Sequence, residues 1–142
     1  MKFLQYIIMI IPVLAFNACL EPEMPEFSSD NTMTSIELVV VKEAKMNAAG
    51  SRPDDDVQKL AGSIAANGII SFSGISELTT EQKTRARFNA IIPLTATLVE
   101  KDGAGNIIGS GIGGQRTITK KTYYFYVVAA NGNEKKYVIT FN

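Results

Sequence analysis

The 142-residue sequence contains no histidine, no tryptophan and a single cysteine. Without histidine there is no imidazole to act as acid or base near neutral pH, no Ser-His-Asp or Cys-His nucleophile, and no His-ligated zinc. One thiol excludes an intrachain disulfide, so stability has to come from packing. A dominant charge sign is also missing. Fourteen Lys and Arg cancel fourteen Asp and Glu, which leaves no global positive field to neutralise a nucleic-acid backbone. The apolar N-terminal run, residues 3–16, is broken by Gln5 and Pro12, and falls short of the about 20 residues that span a bilayer. What is present, 46% apolar and 20% charged residues, is the composition of one ordinary globular domain. No catalytic residue, metal ligand or cofactor is expected.

The N-terminus carries chemistry of another kind. Lys2 precedes the apolar run, which is the layout of a cleaved signal peptide over residues 1–18. The run ends Ala15-Phe16-Asn17-Ala18-Cys19, with a small residue directly before the only cysteine. This resembles a bacterial lipoprotein box, and the resemblance implies that Cys19 becomes the lipid-bearing first residue of the mature chain. Two or three acyl chains, at about 0.8 kcal/mol per buried CH₂, hold a soluble domain on a membrane. Residues 19–32 contain two prolines, four acids and no base, a composition that stays extended as a flexible tether. Acidic residues just after the cysteine are similar to the export signal of Bacteroidetes-type lipoproteins. That similarity implies an outer-membrane protein on the cell surface, with a periplasm-facing anchor as the alternative.

From Met33 onward the pattern is alternating, with β-branched and aromatic residues enriched. Ile36, Leu38 and Val40 share one face of a first strand. Residues 45–62 lose periodicity and are expected to form a loop. A short helix fits inside it, with Pro53 in its first turn, Asp54, Asp55 and Asp56 at its positive end and Gly62 as its left-handed stop. A strand pair is expected around Asn67-Gly68. Thr79 and Gln82 form a capping box, predicting a helix of two to three turns within residues 79–88. Residues 94–100 and a return strand from Ile107 form a hairpin around Gly103 and Gly105. In the last hairpin, a three-residue turn with Gly132 in the left-handed region pairs Ala129 with Asn133 and Phe125 with Tyr137. It puts Tyr123, Phe125, Val127, Ala129, Tyr137, Ile139 and Phe141 on one face, with Tyr124 and Tyr126 on the other. Five to seven short strands over residues 33–142 predict a mostly β fold. The expected form is an antiparallel two-layer β-sandwich of immunoglobulin-like size, with one or two short helices in its connections.

The run Phe125-x-Val127-x-Ala129-x-Asn131-Gly132, followed by Tyr137-x-Ile139-x-Phe141, resembles the closing hairpin of Bacteroidetes surface-lipoprotein β-sandwich domains. The opening Met33-Thr34-Ser35-Ile36-Glu37-Leu38 is similar to their first strand. The resemblance implies a domain of unassigned function, sometimes associated with glycan capture or adhesion, and carries no catalytic residue.

Candidate chemistry is sparse. Consecutive Asp54, Asp55 and Asp56 cannot all turn toward one Ca²⁺, so they read as solvated charge. The glycines between Gly103 and Gly114 sit in β pattern with no following helix, so they read as turns and bulges, not as a phosphate loop. Glu37, Glu100 and Asp102 are expected to be solvated. Lys83, Arg85, Arg87, Lys120, Lys121, Lys135 and Lys136 read as solvated surface and edge protection; in a functional role they would meet an acidic glycan or membrane. Tyr124 and Tyr126 are the ligand-binding candidates, because aromatic faces stack on sugar rings and anchor protein interfaces. The sequence thus predicts a non-enzymatic lipoprotein that binds a glycan or protein, with a strand-pairing subunit of an envelope or fimbria-like assembly as the alternative.

Overall fold

A computed structural model describes residues 26–41 and 57–142. The leader, Cys19 and the three aspartates at 54–56 lie outside the described residues. Among the described residues eight strands form: β1 (Ser35–Val41), β2 (Val57–Ile64), β3 (Ile69–Phe72), β4 (Arg87–Ile91), β5 (Thr97–Lys101), β6 (Ile107–Ser110), β7 (Thr122–Val128) and β8 (Glu134–Thr140). Between β3 and β4 lie a 3₁₀ turn (Ile75–Glu77) and helix α1 (Thr80–Thr84). The mostly β expectation holds. The hydrogen-bonded order is β4-β1-β2-β3-β8-β7-β5-β6. Neighbours are antiparallel except β3 and β8, which run parallel where the β2–β3 and β7–β8 hairpins lie side by side.

This sheet folds over on itself. Phe88 of β4 and Phe125 of β7 stand five places apart in the order, about 24 Å if the sheet were flat. Their ring centroids are 5.6 Å apart. The bend is made in β2, whose residues 57–61 pair with β1 while 62–64 pair with β3. A strand that changes partner this way forms a corner. Gly62 sits at the change because a Cβ there would lie 2.6 Å from Ile36 Cγ2 and 2.9 Å from Phe72 Cε1. Residues 57–62 were expected in a loop, with Gly62 as a helix stop. Instead they are strand, and Gly62 serves a close approach between strands.

Burial follows alternation. Ile36, Leu38 and Val40 of β1 join Phe88, Phe125, Val127, Tyr137 and Ile139 in one core. Phe88 is its hub, with the rings of Phe72, Tyr123, Phe125 and Phe141 within 5.5–6.1 Å. Helix α1 opens with the anticipated capping box: Gln82 N–H donates to Thr79 Oγ1 and Thr79 N–H to Gln82 Oε1. It is shorter than predicted. Ala86 and Phe88 are both core residues, a period of two, so the chain leaves the helix after Thr84 and pairs as β4 with β1.

Three hairpins close in the same way. Ala65 with Ile69, Asp102 with Asn106 and Ala129 with Asn133 flank three-residue turns whose last residues, Gly68, Gly105 and Gly132, have φ of 82°, 91° and 88°. The β7–β8 register is the expected one, with Phe125 opposite Tyr137 and Val128 opposite Glu134. Among the described residues a Cβ on Gly132 would meet nothing within 4 Å, so the left-handed backbone is what opposes a side chain there. Gly132→Val is expected to cost about 1–2 kcal/mol, read as a lower urea midpoint at unchanged slope. An unchanged midpoint would contradict the turn.

Candidate functional site

The inward alternation of Phe125 and Val127 turns Tyr124 and Tyr126 to the other face of β7. Register sets their neighbours. Tyr124 lies opposite Val138 on β8 and Lys101 on β5, and Tyr126 opposite Lys136 and Val99. The row through Tyr124 continues to Ile69 on β3 and Ile107 on β6, both exposed. The row is therefore apolar or aromatic on four of its five strands, with Lys101 standing in it on β5.

Both tyrosines are half-buried, and cations sit against them. Lys101 Nζ lies 4.3 Å from the Tyr126 centroid, and Lys136 Nζ 4.6 Å from that of Tyr124. Lys101 also makes a two-oxygen ion pair with Glu134, at 2.8 and 2.9 Å. Such contacts fix an ammonium on a ring face, each worth about 0.5–1 kcal/mol at exposed sites. The result is a surface that sets two phenol rings beside the Lys136 ammonium, while the charge of Lys101 is met by Glu134. Tyr124 and Tyr126 follow from alternation alone, whereas the lysines reach them from β5 and β8.

A second cluster lies inside the fold. Glu100, expected to be solvated, is 7% exposed, and its Oε2 accepts from Arg116 Nη1 at 2.5 Å. Arg116 also stands over the rings of Tyr123 and Phe125, at 5.4 and 5.5 Å. Among the described residues its buried Nε has no hydrogen-bond partner. The backbone places it there: Arg116 N–H donates to Ala86 O and Ile118 N–H to Lys83 O, tying the segment before β7 to the segment before β4. Burial raises the Tyr123 hydroxyl above its usual pKa, with Arg116 opposing.

The remaining expected residues do not converge. Glu37 meets Lys59 at 3.5 Å. Asp102 accepts hydrogen bonds from Asn106 and Ala104 in its own turn, and the Asn106 side-chain bond leads in lowering its pKa. Arg85 and Arg87 line a cleft of about 160 Å³ with Val39, Val57 and Gly113, while Lys83 borders a different hollow beside Phe72 and Phe141. Among the described residues no group of three His, Cys, Asp or Glu could hold a metal ion, and no helix is long and apolar enough to cross a membrane.

No protein-family model matches the chain, and no curated protein matches it. Among solved structures it is similar to a crystal structure from Bacteroides fragilis, of a protein whose secretion is itself an inference. The two are 12% identical over 80% of this chain and 94% of that one, with a TM-score of 0.48.

Proposed function

We propose that the chain is a non-enzymatic lipoprotein of the bacterial envelope. In this reading it is anchored through Cys19, exposed at the cell surface, and binds an acidic glycan on the outer face of β5, β7 and β8. The observation that carries the reading is Tyr124 and Tyr126 turned outward with Lys101 and Lys136 on their rings. Sugar CH faces stack on phenol rings, and a uronate or sulfate beside the stacked ring reaches the Lys136 ammonium, Lys101 being held by Glu134. The mechanism is surface complementarity. On a glycan array probed with the purified protein, uronate- or sulfate-bearing glycans are expected to bind. The double variant Tyr124→Ala, Tyr126→Ala should lose about tenfold or more in affinity, about 1.4 kcal/mol. Binding equal to that of the parent protein would remove this face as the site.

A second reading rests on β6, the last strand in the order, which carries exposed Ile107 and Ile108. An apolar edge of this kind accepts a strand from a partner chain. Concentration-dependent oligomers abolished by Ile108→Lys, with no glycan bound, would favour an assembly subunit.

A further inference from the structure

We infer that the end of the domain carrying Phe27, Ile91 and Leu94 lies against the lipid bilayer, so that the domain is seated on the membrane rather than held clear of it. This rests on the lipoprotein reading above. The three side chains are 69%, 60% and 105% exposed, and the backbone collects them at one end. Thr34 N–H donates to Ile91 O at 2.8 Å, and Asn131 N–H, at the β7–β8 tip, to Ser28 O at 3.2 Å. Met33 N–H donates to the buried Tyr137 hydroxyl at 2.8 Å, which pins the incoming chain to the same end. Ala96 N–H donates to Pro93 O, closing a turn that holds Leu94 at its apex. Turn apices normally take Gly, Pro, Asn, Asp or Ser, so a fully exposed leucine there is costly in water and favourable against hydrocarbon.

The length of the intervening chain selects the occupant. Phe27 follows Cys19 by eight residues, which span at most about 29 Å when fully extended. The end nearest the anchor is thus the one that carries Phe27, Ile91 and Leu94, while the exposed Ile107 and Ile108 belong to β6 at the other end. The opposite end, where β5 turns at Gly103 and Gly105 and Gln82 Nε2 donates to Val41 O, faces away. Glu26 and Asp30 beside Phe27, both exposed, outnumber Lys135, a cation that lines the same end with Thr32 and Met33, so attraction to anionic headgroups is not the source of the contact. It should form on zwitterionic lipid.

The absence of tryptophan supplies the test. Full-length lipidated Leu94→Trp, reconstituted in phosphatidylcholine vesicles with brominated acyl chains, is expected to show blue-shifted emission and to lose most of it by quenching. Ala104→Trp, in the exposed turn at the far end, is expected to emit as in water and stay unquenched. If Leu94→Trp floats with the vesicles yet emits as in water, the domain stands off the bilayer and the inference fails while the lipoprotein reading survives. If the protein does not float, or Cys19→Ser floats as well as the parent, the lipoprotein reading fails and the inference with it. A blue shift that grows with protein concentration in the absence of vesicles would assign the apolar end to a second copy of the chain, and would also overturn it.

Discussion

Phe88→Ala is expected to lower the free energy of unfolding by about 4 kcal/mol, within the about 3–5 kcal/mol usual for deleting a buried phenyl ring. Phe88 is 2% exposed, and its ring contacts Phe72 of β3, Tyr123 and Phe125 of β7, and Phe141 just after β8. Those partners come from the part of the sheet beyond the β2 corner, whereas Phe88 belongs to the part before it. The truncation therefore leaves a cavity at the contact that makes the sheet fold over, and neighbours held by hydrogen-bonded strands cannot collapse into it. Conservative Phe88→Leu should cost less than half as much. The measurement is urea unfolding of both variants by circular dichroism. A Phe88→Ala cost below 1 kcal/mol would mean that the two parts of the sheet do not depend on this contact.

The sequence discloses this hub only in part, and the reason is physical. Alternation and turn chemistry are local, so they locate strands and registers that are themselves local. Phe125 opposite Tyr137 follows from two apolar sets and one glycine that needs positive φ. The Thr79–Gln82 capping box follows from two side chains three residues apart. By contrast, Val57-Gln58-Lys59-Leu60-Ala61-Gly62 has no single periodicity because β2 serves two neighbours in succession, and its glycine looks like a helix terminator although it answers to Ile36 and Phe72. The strand character of residues 87–91 was masked by the capped helix before it, and only pairing with β1 reveals it. The same division applies to the candidate face. Tyr124 and Tyr126 point outward by parity with Phe125, but Lys101 and Lys136 reach them through long-range register.

Glu100 carries this argument to its second large effect. In the segment from Leu94 it shares parity with Ala96 and Leu98, the apolar set, so its position is that of a core residue. A carboxylate there requires a cation, and Arg116 arrives from a glycine-flanked stretch with no periodic signal. Glu100→Ala should destabilise the protein by about 3 kcal/mol, the lower end of the range for breaking a buried ion pair, because the guanidinium is left over three aromatic rings with no anion. The lower end applies because the Arg116 and Glu100 side chains retain 16% and 10% exposure, which admits some water. The double variant Glu100→Leu, Arg116→Met should recover most of the loss, since it removes both desolvation costs and fills similar volume. Urea unfolding of Glu100→Leu, of Arg116→Met and of the double variant completes the cycle. If the double is as unstable as Glu100→Ala, the pair contributes more than its two desolvation costs, and Arg116 holds the bridge to Ala86 through its charge. If it recovers, hydrophobic contact with Phe88, Tyr123 and Phe125 is sufficient to seat the segment before β7, and the ion pair determines which residue sits there without adding to stability.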